Sequence, residues 1–243
     1  MSYKETAPAT NFEEFEKIVR SRRSVRIYTE EKIPDDVVEK CLQMGLLAPN
    51  SSNLQTWGFY WIQNEDKKAQ LIDFCFSQPT AKTASALIVC VARPHLWRAN
   101  CRRMQEHFKK HEAPKSAHLY YQKIAPFMYT MGLIGELGLL KKFLFFIGGL
   151  FRPMPRHPVS FSGLQEWAVK TTALACENIM LSFRAQGYDT CPMEGFDEAR
   201  VKKLLNLKYR DKVVMVISAG RRDENGIYSP TIRFDSKLFI HKI

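Results

Sequence analysis

The 243-residue chain contains no run of about 18 consecutive apolar residues, so no segment has the length of a membrane span. Its first residues, Met1-Ser2-Tyr3-Lys4-Glu5, lack the charged-then-apolar order of a secretion signal, and a cytoplasmic location is expected. The six cysteines, at 41, 75, 90, 101, 176 and 191, form no C-x-x-C pair. Several lie in apolar periodic runs where cysteine behaves as a small hydrophobe, so neither disulfides nor a zinc site is suggested. No G-x-G-x-x-G segment is present to anchor a dinucleotide on a Rossmann turn. Internal repeats and low-complexity linkers are missing too.

What the chain does contain is core material and positive charge. Hydrophobic residues make up 45% and aromatic residues 12%, so a folded chain is expected rather than a disordered one. The net charge of +11 raises three partners: nucleic acid, an anionic membrane surface or a phosphorylated ligand. No recognition motif for nucleic acid accompanies the charge, so no nucleic-acid partner is expected; salt-sensitive retention of DNA or RNA would be its signature.

Patterning predicts an alternation of helices and strands. Asn11 can cap a helix carrying Phe12, Phe15, Ile18 and Val19 and ending near Arg20. Residues 24–28 are too short and β-rich to be helical, and Pro34-Asp35-Asp36 opens a second helix through Leu47, stopped by Pro49. Buried strands are expected at 58–62 and 86–91, with a helix between, at about 65–76, turning Leu71, Ile72 and Phe76 inward. A long helix runs from Ser162 or Gly163 to Arg184, with Trp167, Leu174, Ile179 and Leu181 as core candidates and Gly187 closing it. Asp197 caps a short helix to about Leu205, and residues 212–218 form the clearest strand. Between the strand at 86–91 and the long helix, residues 93–161 read as a basic and then apolar insertion with too few strand signals for a core of its own.

Three short constellations carry potential chemistry. Arg22-Arg23-Ser24-Val25-Arg26 gathers guanidiniums and a hydroxyl at a helix-to-strand junction, a donor set suited to phosphate; such a run by itself is more often a solvated basic turn. Residues 48–57 (A-P-N-S-S-N-L-Q-T-W) present many polar donors ahead of a buried strand, either for a polar heterocycle or as a turn-rich connection. Residues 192–197 (P-M-E-G-F-D) place a glycine where a planar ligand can approach backbone, or simply enter the next helix.

In this order the segments resemble the FMN-dependent nitroreductase family: R-R-S-V-R near the start, A-P-x-S-x-N-x-Q-x-W next, P-x-E-G-F-D after the long helix, and an arginine in the tail. The resemblance covers residues 11–92 and 163–235. It implies an α+β, nitroreductase-like three-layer fold, a central mixed but mostly antiparallel sheet flanked by helices, in an intertwined homodimer. It also implies one FMN-binding domain over 1–243, an insertion at about 93–161, and a tail at about 225–243 that extends onto the partner. The implied activity is reduction of non-covalent FMN by NADH or NADPH and onward transfer to a small-molecule electron acceptor such as a nitroaromatic or quinone. Reductive dehalogenation, flavin fragmentation and flavin storage remain open on the same scaffold.

Carried over by resemblance, Arg22 binds phosphate or ribityl, with Arg23 and Ser24 supporting that end. Arg26 is the cation at the pyrimidine edge, where it stabilises developing charge. Pro49, Asn50, Ser51 and Asn53 form the loop that the partner lays against the flavin. Pro192, Met193, Glu194 and Gly195 line the other side of the ring, Gln78 belongs to a stretch near the pyrimidine edge, and Arg233 closes on the phosphate. Arg26, Glu194 and Gly195 are thus the catalytic set, and no side chain need act as acid or nucleophile. Two departures stand out: Thr56 replaces a common proline, and Thr231 replaces a second tail cation unless Arg221 or Arg222 substitutes.

Other features fit blander readings. His107 and His111 could share a helix face, yet no third ligand is evident and no metal is expected. Cys191 is read as packing. Arg98, Arg102 and Arg103 could meet a 2′-phosphate, although nothing fixes the choice of nicotinamide. The apolar half of the insertion, with Lys141, Lys142, Phe143, Phe145, Phe146 and Phe151, admits three roles: a lid over the flavin, a peripheral membrane contact, or dimer packing.

Overall fold

Helix starts in this chain are set by side chains that satisfy the first free backbone N–H groups. In the computed structural model, which describes residues 5–111 and 113–243, Asn11 accepts from Glu13 and Glu14 to begin α1 (Phe12–Ser21). Pro34 precedes α2 (Asp35–Leu46). β1 (Trp57–Trp61) leads to α3 (Glu65–Phe74), capped by Asn64, then to α4 (Pro79–Lys82) and β2 (Ala86–Ala92). The described part of the expected insertion holds α5 (Trp97–Lys110), α6 (Lys115–Leu119), a π turn, α7 (Ala125–Tyr129) and α8 (Glu136–Gly148), with no strand. The long α9 (Phe161–Ala185) starts on Ser160, whose hydroxyl accepts from Gly163 N–H at 3.0 Å. β3 (Asp189–Met193), α10 (Glu198–Leu204) with its Asp197 cap, and β4 (Lys212–Gly220) follow.

The strands form one antiparallel sheet in the order β1-β2-β4-β3, and residues 24–28 join its β3 edge through a parallel bridge from Ser24 to Thr190. β2 is buried at every position because helices cover both faces of the sheet. Leu87, Val89 and Val91 point to the layer containing Leu71 of α3 and Val201 of α10. Ile88 and Cys90 point to the layer containing Cys41 of α2 and Ile179 of α9. This two-residue alternation builds the three layers. α2 lies so close to α9 that a Cβ on Gly45 would come within 2.6 Å of Ile179 Cγ1.

Three details differ from the sequence expectation. α3 ends at Phe74 because the chain turns left-handed at Phe76 and Ser77 (φ 56° and 49°); Phe76 is exposed, and Cys75 fills the core instead. On α9, Trp167 and Ile179 are buried, but Leu174 is half exposed because Thr171, Ala175 and Cys176 occupy the sheet-facing positions around it. β3 was not anticipated, since Asp and Pro are poor strand signals; Pro192 is tolerated because β3 pairs along its length only with β4 and its other side is bridged only at Thr190.

β3 begins on a buried carboxylate. Asp189 accepts from Arg184 Nη1 at 2.9 and 3.0 Å and from Arg222 Nε and Nη2 at 3.1 and 2.6 Å, so α9, β3 and the segment after β4 meet on one charge. Asp189→Ala leaves two facing guanidiniums without their counter-charge. Because both arginines reach solvent, the expected loss of unfolding free energy is about 2–3 kcal/mol, below that of a fully buried pair, and urea denaturation measures it.

Candidate functional site

The R-R-S-V-R segment is laid along the sheet edge by its backbone. Val25 N–H donates to Thr190 O at 3.1 Å, Arg26 N–H to Gly226 O at 2.7 Å, and Thr29 N–H to Arg221 O at 2.9 Å. Beneath it, the Tyr28 hydroxyl lies 3.0 Å from Ser218 Oγ and Thr80 Oγ1 donates to Val25 O at 3.0 Å; Thr80 and Ser218 are themselves 2.7 Å apart. Burial raises the Tyr28 hydroxyl far above the usual tyrosine value, so it stays a neutral donor. Tyr28 sits against Gly220, where a Cβ would come within 2.6 Å of its ring.

This placement buries Val25 and lines a groove of about 400 Å³ with Arg22, Arg23, Ser24 and Arg26 on one wall and residues 227–233 on the other. Among the described residues no carboxylate lines it. Glu177 approaches Arg22 Nε only to 4.0 Å, and Arg23 donates to Ser229 O, holding the tail against the wall. Arg26 Nη1 lies 2.7 Å from Cys191 Sγ. Burial pushes the Cys191 thiol up despite the cation, so Arg26 faces a weak neutral acceptor and its remaining donors stay available. Exposed Arg233 closes the far end. An acid-free set of guanidiniums with a hydroxyl is a phosphate-binding chemistry.

The end of β3 adjoins this wall. Glu194 and Gly195 are exposed and Pro192 is half-buried, whereas the Met193 side chain is in the core, so Met193 can offer a ligand only backbone. Gln78 does not present its amide nitrogen outward: Nε2 donates to Gly195 O at 2.8 Å and Cys75 O at 3.0 Å and thereby pins the turn. A Cβ on Gly195 would meet only Gln78 Nε2, at 3.4 Å, which leaves its outer side open to a flat ligand. Arg221 pairs with Glu31 and Arg222 with Asp189, so neither replaces the missing second tail cation.

Pro49, Asn50, Ser51 and Asn53 stand apart from this groove within one chain. Their loop is wound by left-handed Ser52, Asn53 and Gln55 (φ 59°, 45° and 44°) and tied by Asn50 Oδ1, which accepts from Gln55 N–H at 2.9 Å. Its other side-chain partners lie in the insertion. The hydroxyls of Tyr120 and Tyr129 are 2.5 and 3.0 Å from Ser52 Oγ, Tyr121 donates to Ser52 O at 2.8 Å, and buried Asn100 donates to Leu54 O at 2.5 Å. Sequence reasoning missed these four holders: their partners are 46 or more residues away, and only the tyrosine-rich stretch hinted at them. Asn100→Leu strands the Leu54 carbonyl. The expected outcome is a loss of about 1–3 kcal/mol in urea denaturation with faster proteolytic cleavage at 50–55.

Fold and site together define an α+β protein with an arginine-lined groove at one edge of an antiparallel sheet and a polar loop outside that groove. The Nitroreductase family model matches residues 19–221, and the chain belongs to the nitroreductase family. It is 25% identical over 222 residues to a 4-nitrobenzoate reductase of Pseudomonas putida, covering 88% of this chain and 87% of that one. It is 26% identical over 188 residues to an oxygen-insensitive NADPH nitroreductase of Helicobacter pylori, covering 76% of each. A solved structure from Exiguobacterium sibiricum, described as a nitroreductase in complex with FMN, superposes with a TM-score of 0.71 at 25% identity, covering 98% of this chain and all of that one.

Proposed function

We propose that the protein is a homodimeric oxidoreductase that binds FMN and uses NADH or NADPH to reduce a small acceptor such as a nitroaromatic or a quinone. The observation that carries this reading is the acid-free groove of Arg22, Arg23, Ser24, Arg26 and Arg233 beside the open Gly195 turn. The FMN named for the Exiguobacterium structure and the nicotinamide named for the Helicobacter relative support the choice of cofactors.

Arg22, Ser24 and Arg233 would hold the phosphate, with Arg23 keeping the tail in register. When bound, FMN supplies two-electron transfer between nicotinamide and acceptor. Arg26, held beside Cys191, would be the cation that stabilises negative charge on the reduced cofactor. Glu194 and Gly195, with Gln78 bonded to the Gly195 carbonyl, would offer the ring an exposed turn to lie against. No protein group has to deliver or remove a proton by itself.

One chain leaves this site incomplete, because the 49–53 loop is bonded to its own insertion. A second copy would bring that loop over the groove. The surface for it exists: Phe12, Phe15 and Val19 of α1, Leu47 after α2, Leu174 of α9, and Phe239 and Ile240 of the tail are all exposed. On this reading residues 1–243 are one FMN-binding unit, the insertion spans about 93–161, and the tail at about 225–243 reaches the partner.

The test is the visible spectrum of the purified protein, read again after acid precipitation and after anaerobic addition of each nicotinamide. A flavin spectrum released by acid and bleached by NADH or NADPH is expected; a colourless protein that also ignores added FMN overturns the reading. Arg22→Ala is expected to raise the FMN Kd by about 10–100-fold in a fluorescence titration, the loss of one charge-assisted phosphate contact. Arg26→Ala is expected to retain FMN while slowing its reduction by nicotinamide about tenfold or more in stopped flow.

A further inference from the structure

Helix α8 reverses the usual order of a surface helix, which turns its apolar stripe inward and its charges outward. Its buried residues are Gly138, Lys141 and Phe145. The Lys141 ammonium points inward and donates to the carbonyls of Phe127, Met128 and Thr130 at 3.2, 2.7 and 2.7 Å, at the end of α7. Leu139, Phe143 and Phe146 point outward at 70%, 61% and 56% exposure, with Leu133, Ile134, Leu150 and Phe151 flanking them in the open. Single exposed apolar residues are common, but a contiguous aromatic face of this kind marks a docking surface.

The charges around that face have one sign. Glu136 is the only acid between residues 133 and 165. Its two oxygens are taken by the N–H groups of Leu133 and Ile134 at 3.1 and 3.0 Å, which also holds its carboxyl below the usual range. Lys142 and Arg156 border an apolar hollow of about 430 Å³ together with Leu139, Phe143, Phe146 and Val159, and Arg152 follows directly after Phe151. α8 has 13 residues, and no helix among the described residues is long and apolar enough to cross a membrane. Outward rings, a cationic rim and short length are the properties of a helix lying in the plane of an anionic lipid interface.

We propose that residues 133–156 form an interfacial membrane contact that lays α8 along an anionic bilayer with Phe143, Phe146 and Phe151 inserted and Lys142, Arg152 and Arg156 at the headgroups. This contact does not depend on flavin binding. The experiment is co-sedimentation of the full chain with vesicles of phosphatidylcholine alone or mixed with phosphatidylglycerol, at low and high salt. Binding to the mixed vesicles, weakened by salt, is expected. The triple variant Phe143→Ser, Phe146→Ser, Phe151→Ser should stay in the supernatant with an unchanged urea midpoint and elution volume. Lys142→Gln and Arg156→Gln should each weaken binding about fivefold. Failure to bind either vesicle, or equal binding to both, overturns the proposal. So does a change in oligomeric state of the triple variant, which would make the face a contact between two copies.

Discussion

The site depends on residues 24–28 being fastened to the sheet edge by groups that cannot reach water. Val25 is fully buried, and its carbonyl and N–H are both taken, by Thr80 and Thr190. Tyr28 is clamped by Ser218, two residues before the end of β4. With Val25 held inward, the two-residue period of an extended chain sends Ser24 and Arg26 to the groove side, where Arg22 at the end of α1 joins them. An unpaired backbone group here would carry a desolvation cost that a surface turn never meets, so the guanidiniums are presented on a rigid edge. Asp189 extends the same logic to the chain ends of β3 and β4, where two arginines share one buried carboxylate.

Much of this was legible because it is local. Caps at Asn11 and Asp197, the apolar run of β2 and the long period of α9 each reflect a rule that acts within a few residues. β3 was not legible, because Pro192 and Asp189 mask a strand whose place is decided by β4 and by Arg184 and Arg222. The outward turn of Phe76 was hidden for a related reason: its left-handed backbone is set by the bond from Ser77 N–H to Ile72 O, not by hydrophobicity. At the candidate site the groove residues were readable from their motifs. The role of Gln78 as a clamp on Gly195, and the commitment of Arg221 and Arg222 to carboxylates, required three-dimensional partners.

The insertion links two surfaces that the sequence presented as unrelated. Lys141 of α8 holds the carbonyl end of α7, and α7 ends on Tyr129, whose ring packs 4.5 Å from Trp167 and whose hydroxyl meets Ser52. A displacement of α8 therefore bears on the loop at 49–53 through one ammonium and one phenol. Burying a lysine costs desolvation, seen in the lowering of its pKa, and that cost is offset only while three carbonyls converge on it. The arrangement keeps α7 and α8 as one body.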